Sequence, residues 1–316
     1  VRDRSFFLGE VKHRGYFEGW YFKCIDRSRR HAIALIPGMA ISPEGDKHAF
    51  VQVIRAETGR TYYFDFPYSE FDAATDCFRT IVGGNRFGPQ GLSVDIDRPG
   101  IGSISGELVF SDIRVYPTSA LHPGIMGPLS FIPNLECNHV IIHLAQQLSG
   151  QLVLDGETFD FDGGSGYIEK DYGRSFPESY VWIQAGHFDA GDACLVFSHA
   201  TIPFFGRKVP GFFAYFTDFG KTVKRFSSYD LSRLTAFTAD KNAGQVTAQL
   251  EGHGSRLILS AQMQGGGRLR APVEGRMDRE IIESIHATVE VRIEDKRGNR
   301  IYEGRSTGSG MEICIG

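Results

Sequence analysis

The stretch Ile285-His286-Ala287-Thr288-Val289-Glu290-Val291-Arg292-Ile293-Glu294 decides the fold class. Apolar residues hold every odd position and polar or charged ones every even position. Successive side chains of a strand point to opposite faces, so this period of two marks a half-buried antiparallel strand. Moving outward, the same alternation returns. Tyr62, Phe64 and Phe66 alternate with Tyr63 and Asp65, Val246, Ala248 and Leu250 with Thr247, Gln249 and Glu251, and Leu257, Leu259, Ala261 and Met263 form another such row. Gly19–Ile25 is an aromatic run, and Phe50–Ile54 a short β-branched one. Turn signals separate the runs at 43–45, 83–85, 98–100, 163–164, 265–267 and 297–299, each carrying Gly. Helix is expected only as a turn or two over Ser69–Ala74, after Pro67. Two apolar strips break the alternation: Ile36–Ile41 and Pro117–Pro133. The second reads equally well as a loop crossing a barrel mouth or joining two barrels, and as a loop on an outer wall.

Composition agrees with an all-β chain. The 316 residues include 25 Phe, 12 Tyr and 2 Trp beside 38 Gly, a mixture that disfavours a helical bundle and suits many strands joined by tight turns. The length predicts about two domains. Strands at this spacing predict closed or nearly closed antiparallel barrels, with a seam at 160–175, so the expected division is 1–165 and 166–316. Lys and Arg number 34 against 38 Asp and Glu, a formal charge of -4, which is not the footprint of a nucleic-acid binder. No apolar run approaches the roughly 18 residues of a membrane span. Val1–Ser5 lacks both an initiator Met and a following signal region, so the natural start is expected upstream. Cys24, Cys77, Cys137, Cys194 and Cys314 have wide spacings and no C-x-x-C, which predicts unpaired core thiols, a reducing cytoplasmic location and no metal site built from cysteine.

Three constellations could carry chemistry. In Gly15–Lys23, the residues Glu18, Trp20 and Phe22 share one strand face, while Gly19, Tyr21 and Lys23 share the other. A carboxyl buried beside Trp20 would hold its proton more tightly, because burial disfavours the charged form; an aromatic strand with a rim carboxylate has the same pattern. In Gly166–Pro177, Glu169, Lys170, Asp171 and Arg174 lie within six positions, and Tyr180, Trp182 and Gln184 follow on one strand face. Two carboxyls flanking a cation suit acid–base work, and equally a salt-bridged turn. In Phe131–His139, Glu136 and Asn138 share one face, Cys137 and His139 the other. A Cys/His pair is a candidate nucleophile and base but lacks a third orienting group. His139 and His143 have a zinc-helix spacing in a strand context, and are expected to be buried, hydrogen-bonded histidines. No G-x-S-x-G elbow, P-loop or dinucleotide fingerprint is present, which disfavours serine hydrolysis, phosphoryl transfer and hydride transfer.

The order of short motifs resembles the tocopherol cyclase-like family. The matching pieces are Phe17–Lys23, Ile36-Pro-Gly38, His48–Gln52, Pro123–Gly127, Glu136-Cys137, Gly166–Gly173, Phe176-Pro177, Trp182–Gln184, Ala271-Pro272, Gly275–Met277, Ile282–Ser284 and Met311-Glu312. Tyr172 stands where bacterial relatives usually have Trp, Ala185-Gly186 where Ser-Asn is common, and Asn138–Val140 where Tyr-His-Gly is usual. The resemblance implies two tandem lipocalin-like (calycin-type) β-barrels with little helix. It also implies a cofactor-independent enzyme that protonates an alkene of a prenylated, apolar substrate such as a prenyl hydroquinone, leading to cyclisation or hydration. On that reading Asp171 or Glu169 donates the proton, Lys170 or Arg174 sets which of the two stays ionised, and Glu136 and Glu18 are reserve acids. Trp20, Tyr21 and Trp182 would face the cation, with Cys137 beside them, and Gln184 and His187 would hold the polar head group. No metal or cofactor is expected. The expected partner is a hydrophobic small molecule, with peripheral membrane contact for its uptake and no nucleic acid. The competing readings are a barrel that binds or transports a hydrophobic ligand without catalysis and, from the aromatics alone, a sugar-acting protein.

Overall fold

A computed structural model describes residues 3–119, 122–132, 135–204 and 207–315. The expected all-β architecture is observed: the described residues form two antiparallel sheets, with helix among them confined to 3-10 turns at Gly9–Val11, Tyr68–Glu70 and Gly127–Phe131. The predicted helical turns over Ser69–Ala74 reduce to the second of these. Phe71–Ala73 is instead a strand paired with Thr80–Val82, because sheet pairing and the packing of Phe71 and Ala73 on the core outweigh local propensity. Ile36–Ile41, which lacks alternation, lies within strand Ala32–Ile41 and is buried on nearly every residue. A strand covered on both faces has no need to alternate.

The first sheet is a meander that curls until strand Thr80–Val82 lies near Ala32–Ile41 and Lys47–Arg55. Its central strand Gly164–Gly173 pairs with Tyr16–Ile25 on one side and Cys137–Leu154 on the other. The second sheet is centred on Tyr180–Phe188, which pairs with Gly191–Phe204 and Arg300–Cys314. The change of sheet therefore falls between Gly173 and Tyr180, past the expected division at 165/166. Phe161–Gly166, read from the sequence as the interruption at the seam, is only the turn into one more strand of the first sheet and the start of that strand. Gly173 permits that strand's close approach to its neighbour: its φ is +153° and a Cβ would sit 2.3 Å from the Glu136 carbonyl oxygen.

Three of the four apolar cores among the described residues follow from the period of two. Trp20, Phe22, Phe64, Phe87 and Phe161 fill the first barrel. Ile183, Leu195, Phe197, Val289 and Met311 fill the second. Between the sheets lie Tyr21, Ile141, Tyr167, Tyr180, Trp182 and Ile285. The central strands thus send alternate residues into a barrel and into the inter-sheet layer. That alternation corrects several expected roles. Glu18, Trp20 and Lys170 all face the inside of the first barrel. Lys170 Nζ lies 2.5 Å from Glu18 Oε1, with both side chains fully buried, and also donates to the carbonyls of Arg4 (2.8 Å) and Phe6 (2.6 Å). Tyr16 Oη and the Leu8 amide donate to Glu18, and Trp20 Nε1 donates to the Ser5 carbonyl. This cluster pins residues 4–8 to the barrel and is structural. Removing one partner of a buried ion pair costs about 3–5 kcal/mol, so Lys170→Met is expected to lower the urea midpoint by a stability loss of that order, measured by chemical denaturation.

Candidate functional site

The inter-sheet layer opens into a cavity of about 270 Å³. Strand Gly164–Gly173 turns Glu169 and Asp171 into it, because residues two apart share a face, and turns Lys170 away. Strand Cys137–Leu154 pairs His139 with Asp171 and Ile141 with Glu169 in register, which carries the imidazole alongside both carboxyls. His139 Nδ1 is 2.9 Å from Asp171 Oδ1, and Nε2 is 3.3 Å from Glu169 Oε2, a charge contact without hydrogen-bond alignment. Tyr167 Oη donates to the same Glu169 oxygen at 2.6 Å. The second sheet contributes Tyr180, Trp182 and Glu312, and Tyr180 Oη donates to Glu312 Oε2. Behind them Tyr21 Oη donates to Glu283 Oε1 at 2.5 Å, and Glu283 is directly opposite Glu312 on the paired strand.

The rest of the wall is mostly apolar, with Glu136, Ser198, Ser228 and Tyr229 as its other polar residues. Met126, Leu129 and Ile132 come from the predicted apolar strip, and Ile202, Phe212 and Phe213 from the second sheet. The strip therefore joins the two barrels across the cavity (its residues 120, 121 and 133 lie outside those described). Tyr229 Oη holds it by donating to the Ile125 carbonyl at 2.7 Å, and Met126 Sδ accepts the His139 amide. Trp182 keeps its place because Gly310 lies under it: a Cβ there would come within 2.6 Å of the indole.

Burial decides the electrostatics. Loss of water raises Glu169 to about 7, opposed by His139 and reinforced by Asp171. Burial likewise raises Glu312 to about 8 and Glu283 well above the carboxylate range, Glu312 being the next cause for the latter. For His139, burial works against the charge, but Glu169 and Asp171 outweigh it and the imidazole rises to about 9. It therefore carries its proton at neutral pH. His139, Glu169 and Asp171 each offer a ligand atom within 4.8 Å of the others, a spread a cation could fill. However, both imidazole nitrogens already face carboxyl oxygens, so the group is accounted for as an internal ion cluster.

Of the sequence candidates, Asp171, Glu169, Glu136, Cys137 and Trp182 line the cavity. Glu136 is raised by burial, and the Cys137 thiol is pushed well up for the same reason. That thiol is therefore a poor nucleophile. Tyr21 lies behind the wall, edge-on to Trp182 with ring centroids 5.7 Å apart. The others lie elsewhere. Arg174 pairs with Glu274 on the surface. The Gln184 amide points to Cys194 Sγ at 3.9 Å. His187 contacts Ser165 Oγ in a left-handed bulge (φ 55°), and burial, then Arg29, lower it to about 4. The cation expected from Lys170 or Arg174 is thus His139. His143 is buried and hydrogen-bonded to Gln146 as expected, whereas His139, hydrogen-bonded to Asp171, is only half-buried; the acid-pairing role of His139, and the parts played by Tyr167, Glu283 and Glu312, were not read from spacing. Motif order alone pointed at Glu283 and Glu312.

A carboxyl raised in the folded state binds its proton there more tightly than in the unfolded chain. Its stability contribution is complete below the ordinary value of 4.5 and is lost as pH rises through about 8 for Glu312. Stability is expected to fall between these limits, and Glu312→Gln to flatten the fall, as measured by denaturation midpoints against pH.

A family profile described as tocopherol cyclase-like matches residues 113–315, more than half of the chain. A search of curated proteins gives no match. Among solved structures, the chain is similar to CghA in complex with Sch210972, with a TM-score of 0.60, 11% identity, and coverage of 95% of this chain and 88% of that one. It is similar to a putative AttH from Nitrosomonas europaea, with a TM-score of 0.54, 11% identity, and coverage of 94% and 92%. It is also similar to kievitone hydratase from Nectria haematococca, with a TM-score of 0.50, 8% identity, and coverage of 99% and 92%. At these identities the likeness concerns the fold.

Proposed function

The chain belongs to the tocopherol cyclase-like family, and from that premise we propose that it is a cofactor-independent acid catalyst that protonates an alkene of a prenylated, apolar substrate such as a prenyl hydroquinone. The observation that carries this reading is Glu169, a carboxyl raised to about 7 on the wall of an apolar cavity beside the His139–Asp171 pair. Protonating an alkene needs a carboxylic acid kept neutral near physiological pH and away from water. Glu169 meets that need better than Asp171, whose Oδ1 is engaged by His139.

In the proposed step, the Glu169 O–H bond breaks and a C–H bond forms on the alkene. The positive charge passes to the adjacent, more substituted carbon. Aromatic faces attract such a cation, Trp most strongly, and Trp182, Tyr180 and Phe213 are on the wall. The substrate's hydroxyl oxygen then forms the C–O bond, and its proton returns to Glu169. Between these events the Glu169 carboxylate is stabilised by the protonated His139 at 3.3 Å and by the Tyr167 hydroxyl. Capture by water in place of the hydroxyl gives hydration. A carrier of hydrophobic ligands would need the apolar wall alone, and a buried acid–imidazole cluster on that wall favours catalysis.

Incubation with prenylated hydroquinones, followed by chromatography and mass spectrometry, is expected to give an isomer of unchanged mass. A positioned general acid contributes about 10²–10⁴-fold, so Glu169→Gln is expected to slow turnover by that factor, and Asp171→Asn to slow it less. No turnover by the wild type, or unchanged turnover in both variants, would sink the proposal. The donor must be protonated, so the rate is expected to fall as pH rises through about 7, read from a kcat/KM profile. Chelation with EDTA is expected to leave turnover unchanged.

A further inference from the structure

Lys23 closes the opening motif Phe17–Lys23, and the proposed step makes no use of it. We propose that the buried Lys23 ammonium is a positioning residue of the acid site: its charge, set into the inter-sheet layer beside the glutamates, fixes the pH above which Glu169 no longer donates. This rests on the reading of Glu169 as the proton donor.

Strand register places the charge. Tyr21 is directly opposite Glu169, and Lys23 directly opposite Tyr167, so all four side chains leave the same face of the first sheet. Lys23 and Glu169 are thus diagonal neighbours, at strand positions about 7–8 Å apart. Lys23 is 2% exposed, and its Nζ donates to the Gly308 carbonyl on the second sheet at 3.1 Å. Unlike Lys170, which has Glu18 at 2.5 Å, it has no carboxyl oxygen at ion-pairing distance among the described residues. One carbonyl dipole does not replace the hydration of an ammonium, so a nearby charge must compensate it.

The titratable groups around Lys23 narrow the choice. Burial raises Tyr21, on its own strand, and Tyr167, on the paired strand, well above the ordinary phenol value. On strand Gly191–Phe204, burial pushes Cys194 up to about 12, and on strand Tyr180–Phe188 it lowers His187 to about 4. All four are uncharged at neutral pH. His139 already has Asp171 at 2.9 Å. What remains for Lys23 is Glu169 and, from strand Arg276–Asp295, Glu283 with Glu312 opposite it. Burial lowers Lys23 itself only to about 8, against the pull of Cys194, Glu283 and Glu169, so it keeps its charge at neutral pH. A cation in this place favours the ionised form of Glu169 and holds down a value that burial drives up. Removing it leaves Glu169 protonated to higher pH. Unit charges about 7–8 Å apart, at an effective dielectric constant of about 20, move a proton equilibrium by about one to two pH units.

The test compares kcat/KM against pH, with a prenylated hydroquinone, in the wild type, Lys23→Met and Lys23→Gln. The wild-type rate falls through about 7, and in both variants the fall is expected about one pH unit higher or more. Lys23→Gln keeps a donor for the Gly308 carbonyl without the charge, and it carries the test if Lys23→Met does not fold. A merely structural lysine would lower the rate by one factor at every pH and leave the fall in place. An unmoved fall in both variants, or one moved in Lys23→Met and not in Lys23→Gln, would overturn the proposal. Infrared titration reads the same property without turnover: the Glu169 acid band, identified by its loss in Lys23→Gln/Glu169→Gln, is expected to titrate away about one pH unit higher in Lys23→Gln than in the wild type. An unmoved band would overturn the role of Lys23 even where Glu169-dependent turnover is found. A moved band without any turnover would support that role while removing the acid-catalysis reading.

Discussion

Two sheets packed face to face bury Glu169, Glu283 and Glu312 and leave little of their surface for solvent to reach. Everything distinctive about the site follows from that enclosure. A carboxyl with no solvent must be paired, hydrogen-bonded or neutral. Here each of the three receives a phenolic hydroxyl, from Tyr167, Tyr21 and Tyr180 respectively, and among the described residues Glu169 alone of the three has a cationic partner within 4 Å, the His139 imidazole. The result is a set of acids that keep their protons at pH values where an exposed glutamate has lost its own. The structure contains the opposite solution a few ångströms away through the sheet. Glu18 is just as buried, but it faces Lys170 in a tight ion pair inside the first barrel. The same strand pair therefore holds a buried charge pair on one face and an acid with a raised pKa on the other.

The all-β class was readable because alternation is a local signal. Ile285–Glu294 and Tyr62–Phe66 each declare a strand from their own residues. The site was only partly readable for the same reason. Glu169 and Asp171 are close in sequence, so a motif can name them. Their true cation, His139, comes from a partner strand, and no spacing along one strand predicts cross-strand register. Lys170 was the natural choice by adjacency, yet adjacency in a strand means the opposite face. Applying the period of two to Glu169-Lys170-Asp171 would have excluded it. Glu18 and Trp20 failed for a different reason. Their face was read correctly as inward, but the barrel interior they enter is a packed core, and the cavity lies on the other side of the sheet.

Glu283 and Glu312 show where pattern reading stops. Each has apolar or small residues on either side, Ile282 and Ser284 for Glu283 and Met311 and Ile313 for Glu312, in a strand that carries other charges, and without a fold it reads as an ordinary rim position. Their partners Tyr21 and Tyr180 lie 262 and 132 residues away. The packing of one barrel against the other brings Tyr21 to Glu283, and strand pairing within the second sheet brings Tyr180 to Glu312. The departures from the family pattern at Asn138–Val140 lie on the strand that carries His139, and Tyr172 faces the first barrel's core, so the former are the better place to look for differences in what the cavity accepts.

Acid catalysis in this cavity requires one physical property: Glu169 keeps its proton in the folded protein up to about pH 7. Difference infrared spectroscopy of wild type against Glu169→Gln reads this directly, because a protonated carboxyl and a carboxylate absorb in separate bands. The account predicts a carboxylic acid band that is missing from the variant and titrates away with a midpoint near about 7. A Glu169 carboxylate band already complete at pH about 5, close to the ordinary glutamate value, would contradict it.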